Sequence, residues 1–347
     1  MLELLAGQLA HGRSLSDEQV SAAIAQLTDA GVAAEGKADF LAALARKGET
    51  TEEIAAFARE LLERSLQPPI DVETRSREIL DVCGTGGDRL GTFNISTTVA
   101  IIVAAGGVAV AKHGNRAITS QAGSADVLEA LGIRIDLEPE EAARSLREHQ
   151  FAFFFAPKYH PAFRHIAPAR KLCAERGQRT VFNYLGPLLN PARPSAQLIG
   201  VPRAELCEPI ARVLQTLGVR RGMVVSGRAG DSQLDELSTL GETRIAEFYQ
   251  DHGFATSACS PADFRLQPAT LADLAGGDRT VNAEIVRRLL QGKERGPKRD
   301  AILLNAGAAF FVAGETKSLT QGWELAAEVI DSGKAAAKLE ALARASL

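Results

Sequence analysis

The chain has 347 residues, 46% of them hydrophobic and 24% charged, with a formal net charge of −4. That length exceeds what one core usually serves, so about two domains of an ordinary globular composition are expected. The negative balance excludes a general attraction to nucleic acid or anionic lipid; a polyanion has to be held by a local pocket, which suits a small phosphorylated ligand better than a duplex.

The first residues, MLELLAGQLAHGRSLSDEQV, lack a basic stretch followed by a continuous apolar one. Nowhere do about 18 apolar residues run together, so the chain is expected in the cytoplasm, neither exported nor membrane-spanning. From Met1 to about Ser65 the pattern is helical. Leu2, Leu5 and Leu9 recur at turn spacing, SDEQ (Ser16 to Gln19) has the form of a capping box, and Lys37 to Arg46 puts Phe40, Leu41 and Leu44 on one face. Thr50 or Thr51 before Glu52 and Glu53 starts another helix. Residues 1–70 are expected to form a small all-helical domain for packing or dimerisation, and Gln67, Pro68 and Pro69 mark a linker near 66–76.

Beyond the linker, strand and helix alternate. Ile79 to Cys83 reads as a strand, Ser96 to Ala105 as a helix closed by Gly106 and Gly107, Val108 to Ala111 as a strand, and Ser124 to Leu131 as a helix closed by Gly132. Ile133 to Leu137, a helix from about Pro139 to Glu148, and Phe151 to Phe155 continue the alternation. The expected fold class is therefore α/β: the small helical domain, then a larger domain over 76–347 with a central, largely parallel sheet flanked by helices. Right-handed crossovers put the strand carboxyl ends on one edge, so the loops after Cys83, Ala111 and Phe155 should open on the same side. Val181 to Pro191 is punctuated by Gly and Pro, and Met223 to Ser226 is a further strand. The last third reads as helices around Val281 to Leu290, Ala301 to Val312 and Trp323 to Leu342, with no new polar constellation. Cys83, Cys173, Cys207 and Cys259 have no CxxC spacing, which argues against structural zinc and a disulfide framework.

A glycine-rich loop between strand and helix exposes backbone amides to a phosphate, and the helix end adds about half a positive charge. GTGGD (Gly84 to Asp88) followed by NIST (Asn94 to Thr97) offers that, with hydroxyls from Thr85, Ser96 and Thr97. It is not the dinucleotide fingerprint, because Arg89 stands where the last glycine would fall, and it is not a Walker A loop. In KHGN, Lys112 follows a run of seven small or apolar residues. A lysine there is expensive to desolvate without an anion, and a phosphate is the natural partner. His113 alone reads equally as a hydrogen-bonded loop histidine. TSQAGSAD (Thr119 to Asp126) adds hydroxyls and a helix start at Ser124, so two helix N-termini facing one cleft suit a ligand with two separate phosphate groups. Asp235 and Glu236 are adjacent carboxylates that could hold magnesium beside phosphate, or form a solvated turn. HPAFRHIAPAR sets Arg170 behind prolines; arginine grips a planar carboxylate bidentately, and a surface arginine is the plain alternative.

The order GTGGD, NIST, KHGN, GSADVLEALG, FAP then HPA, FNYLGPLLNP and LDELS resembles the anthranilate phosphoribosyltransferases of tryptophan biosynthesis. The resemblance covers nearly the whole chain, to the closing VIDSGKAAAKLEAL. It implies that Gly84, Thr85, Gly87, Asp88, Thr92, Asn94, Ser96, Thr97, Lys112 and Ser124 hold phosphoribosyl pyrophosphate. It implies that Gly84, His113, Asn115, Arg170, Gly186 and Pro187 face anthranilate, and that Ser96, Asp235 and Glu236 hold magnesium, two ions per site. No nucleophile is implied; Lys112 and magnesium would stabilise the departing charge. A homodimer is implied, with about 160–190 packing back on the helical domain, and neither nucleic acid nor membrane as partner. Two departures stand out: KLCAERGQ after Arg170 is a few residues longer than the family spacing, and Tyr184 replaces an expected aliphatic residue. The rival readings are a same-fold protein with another acceptor or a nucleic-acid role, and a pyrimidine nucleoside phosphorylase. Intact KHGN and Arg170, with the negative charge, weigh against the first, and KHGN followed by GSADVLE weighs against the second.

Overall fold

The computed structural model describes residues 1–117, 121–250, 253–264 and 266–346. Four helices come first: α1 (Leu2–Ala10), α2 (Asp17–Thr28), α3 (Ala34–Lys47) and α4 (Thr51–Glu63). Ser16 caps α2 and Thr50 caps α4, in reciprocal boxes with Gln19 and Glu53 that satisfy otherwise orphaned backbone donors. Buried Glu53 also accepts from the Leu15 amide at 2.9 Å and pairs with Lys47 at 2.6 Å, so one carboxylate ties three segments. The linker contains a single turn, α5 (Val72–Arg75), capped by Asp71.

The remaining elements, in order, are β1 (Ile79–Gly84), α6 (Ile95–Ala105), β2 (Ala109–Gly114), α7 (Ser124–Ala130), α8 (Pro139–His149), β3 (Phe151–Phe155), α9 (Ala156–Tyr159), α10 (Ala167–Glu175) and α11 (Phe182–Leu185). They are followed by β4 (Ala196–Gly200), α12 (Cys207–Thr216), β5 (Arg221–Ala229), β6 (Ser232–Leu234), β7 (Thr243–Tyr249) and β8 (Gly253–Cys259). Helices α13 (Arg279–Leu290), α14 (Pro297–Val312), α15 (Leu319–Asp331) and α16 (Lys334–Arg344) close the chain.

The sheet runs β3-β2-β1-β4-β5-β7-β8, with β6 paired to β5. The first five strands are mutually parallel, and β7 and β8 add an antiparallel edge. Because side chains alternate along a strand, Leu198, Met223 and Val225 pack into the core under α6 and α13 to α16. Ile199 and Val224 join the core that continues into the N-terminal helices. Lys37, buried in α3, donates to the Asp29 and His165 carbonyls at 2.7 and 2.9 Å, and Cys173 donates to the Ala38 carbonyl at 3.5 Å, so α3 and α10 are stapled together.

Several sequence expectations are corrected. Ile133 to Leu137 is not a strand; Ile133 and Ile135 bury their side chains without joining a ladder. The stretch read as one helix from Trp323 is two, broken where Gly333 takes φ 80°. Strands β4, β6, β7 and β8 were not anticipated, and β2 extends through Lys112 and His113 to Gly114, so both side chains are held by a strand and not a loop. Among the described residues no helix is long and apolar enough to cross a membrane. Two cavities, of about 210 and 280 Å³, contain none of the candidate site residues.

Candidate active site

The sheet order turns outward in both directions from β1 and β4, the kind of switch point whose crevice lies at the strand carboxyl ends. Gly84 and Gly200 are opposite each other at those two ends, and the segment after β6 lies across them. A Cβ on Gly200 would stand 1.5 Å from the Asp235 carbonyl oxygen, and one on Gly84 2.2 Å from Asp235 Oδ2. Two strand-end glycines are thus what allow the acidic pair to sit on the sheet.

The GTGGD loop folds over the same place. Gly86 and Gly87 take φ 71° and 90°, and Arg89 is itself left-handed at 60°. The Gly86 amide donates to Asp235 Oδ2 at 2.8 Å, the Thr85 amide to the Gly200 carbonyl at 2.9 Å, and the Leu90 amide to Asp88 Oδ1 at 3.2 Å. Burial lifts the Asp235 carboxyl above the usual carboxylate range and the neighbouring Asp88 charge adds to it. Glu236 is raised for the same reason, burial first and Asp235 second. The backbone of Ser96, in the first turn of α6, lies close enough to offset part of that rise. Buried Lys112 donates from Nζ to the Val82 carbonyl at 2.6 Å and contacts Ser96 Oγ at 3.4 Å. Its charge lowers the pKa of both Asp81 and Glu236, so its first anionic company is the protein's own carboxylates.

Asp88, Asp235 and Glu236 bring together more negative charge than Lys112 offsets, and with the Ser96 hydroxyl beside Lys112 they fit a hard divalent cation that also takes water and phosphate oxygens. Among the described residues no three His, Cys, Asp or Glu side chains form a complete cage, so such an ion would share its shell with a ligand.

The other predicted phosphate-side residues spread around this centre. Asn94 occupies the N-cap position of α6 without capping it; its amide donates to the Ala122 carbonyl at 3.2 Å and accepts from Asn282 at 2.9 Å. Thr97 is buried, and its hydroxyl has no partner among the described residues. Thr92 bridges to Ala275. Ser124 Oγ donates to the Asn115 carbonyl at 3.3 Å, and a Cβ on Gly114 would meet Ser124 Oγ at 2.3 Å. Thr119 and Ser120, expected to add hydroxyls, lie outside the described residues.

A second group leads away from β2. His113 is buried, and its Nδ1 lies 3.1 Å from the Gly186 carbonyl. A carbonyl only accepts, so Nδ1 carries the proton and Nε2, which has no partner among the described residues, keeps its lone pair. Burial, then the neighbouring His160, push the His113 pKa down to about 3. From His113 a ring series continues through His160 (5.5 Å between centroids), Phe163 (5.2 Å) and Phe182 (5.7 Å). At its end the Arg170 guanidinium lies 5.4 Å from the Phe182 ring. Among the described residues nothing accepts a hydrogen bond from that guanidinium. Gly186 opens a helical turn at φ −44°, Pro187 is buried with its carbonyl accepting from Gln197 at 3.0 Å, and Asn115 is exposed.

Sequence reasoning missed the piece that joins the two groups. Asp81 is fully buried and accepts from the His113 amide at 3.2 Å and from Asn190 Nδ2 at 2.9 Å; Asn190 also donates to the Ala111 carbonyl at 2.7 Å. Burial pushes Asp81 up to about 6. It also missed Gly200, although AQLIG ends an apolar run in glycine as DVCG does, and His160, whose Nε2 donates to the Leu189 carbonyl at 2.8 Å.

Comparison with known proteins follows this layout closely. The family described as "Glycosyl transferase family, a/b domain" matches residues 76–336, and the one described as "Glycosyl transferase family, helical bundle domain" matches residues 5–65. The chain is 46% identical over 329 residues to an anthranilate phosphoribosyltransferase of Petrotoga mobilis, covering 95% of this chain and 92% of the relative. It is 44% identical to that of Rubrobacter xylanophilus, covering 100% and 98%. Among solved structures, the anthranilate phosphoribosyltransferase of Thermus thermophilus superposes with a TM-score of 0.88 at 44% identity, covering 99% of each chain. The Saccharomyces cerevisiae enzyme, solved in complex with PRPP and Mg, superposes at 0.87 with 28% identity over 99% of this chain and 97% of that one. The chain belongs to the anthranilate phosphoribosyltransferase family.

Proposed function

We propose that this chain transfers the phosphoribosyl group of phosphoribosyl pyrophosphate to the amino nitrogen of anthranilate, releasing pyrophosphate. The observation that carries the reading is the pairing of a cluster of buried carboxylates on the sheet edge with a guanidinium that has no protein acceptor among the described residues, at the far end of an aromatic series. A donor rich in phosphate and metal suits the first, and a planar aromatic carboxylate suits the second. The yeast relative is described in complex with PRPP and Mg and, in another structure, with 4-fluoroanthranilate.

In this reading Gly84, Thr85, Gly87, Asp88, Thr92, Asn94, Ser96, Thr97, Lys112 and Ser124 hold the donor. Ser96, Asp235 and Glu236 hold magnesium, two ions per site, which when bound neutralises the pyrophosphate as it leaves. Lys112 stands beside them as the fixed cation. Arg170 grips the anthranilate carboxylate bidentately, with Gly84, Asn115, Gly186 and Pro187 around the ring. Neutral His113 offers Nε2 as an acceptor for an amine N–H, so the nitrogen lone pair stays free to attack the anomeric carbon. That carbon–oxygen bond to pyrophosphate breaks as the carbon–nitrogen bond forms, and the proton lost by the amine passes to the released pyrophosphate or to water. Holding two substrates in line supplies up to about 7 to 11 kcal/mol of the barrier reduction. Residues 1–70 would provide the face of a homodimer, and 76–347 the catalytic body.

Loss of anthranilate fluorescence on mixing protein, phosphoribosyl pyrophosphate and magnesium tests the reading. No loss, together with phosphate-dependent cleavage of a pyrimidine nucleoside, would replace it with the phosphorylase alternative.

A further inference from the structure

The last third of the chain showed no polar motif, yet one of its residues bears on the acidic pair. Asn305 lies mid-way along α14 with no exposed area, in a helix whose buried residues are mostly apolar. Its side-chain amide closes a two-bond ring with the backbone of Leu237: the Leu237 amide donates to Oδ1 at 2.9 Å, and Nδ2 donates to the Leu237 carbonyl at 3.0 Å. The second Nδ2 hydrogen goes to the Ala301 carbonyl at 2.9 Å. The orientation of the amide is therefore unambiguous, because one partner can only donate and two can only accept.

Leu237 follows Glu236 directly and is 1% exposed, so water does not replace these bonds. The two acidic residues are limited from below by contact: a Cβ on Gly200 would stand 1.5 Å from the Asp235 carbonyl oxygen, and one on Gly227 2.5 Å from that of Glu236. Contact prevents the segment from sinking into the sheet. It does not prevent it from lifting or sliding, and the Asn305 bonds do.

We infer that Asn305 is a positioning residue for the metal-holding pair, its amide clamp on Leu237 fixing where the Asp235 and Glu236 carboxylates stand and hence how tightly they hold magnesium. The inference rests on the reading that these two carboxylates bind the ion. A purely structural asparagine, satisfying a buried backbone, would affect stability alone.

The test uses the full chain with Asn305→Asp, Asn305→Ala and, as a packing control in the same helix, Leu303→Ala. The aspartate is nearly isosteric; it still accepts from the Leu237 amide but turns an oxygen toward two carbonyls. Two constants are read: Mn2+ binding in the presence of pyrophosphate, followed by the electron paramagnetic resonance of free Mn2+, and the magnesium concentration giving half-maximal rate. Both should rise about 10- to 100-fold in the Asn305 variants, as for other residues that orient metal ligands. The anthranilate KM should stay within about threefold. Leu303→Ala should lower Tm and leave both metal constants unchanged. If Asn305→Ala does not fold, Asn305→Ser, which retains hydrogen-bonding capacity, takes its place. Asn305 variants that melt early but bind Mn2+ like the parent overturn the inference, provided Asp235→Asn with Glu236→Gln abolishes binding. If that double variant binds Mn2+ normally, the metal reading itself is what fails.

Discussion

Replacing Gly200 with alanine perturbs the site through a single methyl group. The added Cβ would stand 1.5 Å from the Asp235 carbonyl oxygen. Non-bonded atoms settle at about 3.5 Å, so the segment carrying Asp235 and Glu236 has to retreat by roughly 2 Å or β4 has to shift. Overpacking of this kind costs about 1 to 3 kcal/mol, against a total stability of about 5 to 15 kcal/mol, and the fold should survive. Catalysis should not, since misplacing a reacting geometry by about 1 Å can already cost about 100-fold. The assay is the initial rate across magnesium and phosphoribosyl pyrophosphate concentrations, with a thermal melt of each protein. Gly36→Ala, in α3 with nothing within 4 Å of the new Cβ, serves as the silent control. A folded Gly200→Ala protein whose kcat/KM for the donor lies within about threefold of the parent would show that this glycine does not set where the acidic pair stands.

Arg170→Ala should raise the anthranilate KM by the equivalent of about 2 to 5 kcal/mol while donor affinity stays nearly unchanged; equal losses for both substrates would remove Arg170 from the acceptor side. Stability should respond to pH through the two buried histidines, held neutral at about 3 for His113 and about 4 for His160 against an ordinary 6.5, in both cases first by burial. Unfolding restores the ordinary value, so below pH 6.5 the unfolded chain binds more protons and stability falls toward pH 4 and then 3. Each pH unit in that window removes up to about 1.4 kcal/mol per histidine. Asp81, raised to about 6 from 3.8, acts in the opposite sense, taking up its proton in the folded state first and returning stability as pH falls through that range. Denaturant melts at pH 7 and 5 should show a slope shallower by about one proton in His160→Gln than in the parent; identical slopes would contradict the assignment.

How much of this was legible in the sequence depended on whether a feature was local. Ser16 with Gln19 is read within four positions and its capping box forms, while the start left between Thr50 and Thr51 falls at Thr50, in a box with Glu53. The apolar run before GTGGD announced β1, and the acidic pair could be flagged as neighbours. What could not be read was which strand lies beside which. Gly200 matters because β4 pairs with β1 and Asp235 crosses both, a fact of sheet order across more than a hundred residues. Asp81 looked like one polar residue in an apolar run, and its importance comes from Asn190 and the His113 amide arriving from elsewhere. Asn305 is the same case in a helix: an unremarked polar residue among alanines and leucines until Leu237 is laid against it. Ile133 to Leu137 failed in reverse, since alternation describes a half-buried extended segment whether or not a neighbouring strand is there to pair with it.

Phosphoribosyl transfer to anthranilate fixes a stoichiometry. In one reaction vessel, anthranilate consumed and pyrophosphate released are counted together, with and without magnesium. One pyrophosphate should appear for each anthranilate lost, with no turnover of either once a chelator has removed the metal. Pyrophosphate release that proceeds without loss of anthranilate, or anthranilate loss unaffected by chelation, would contradict that reading.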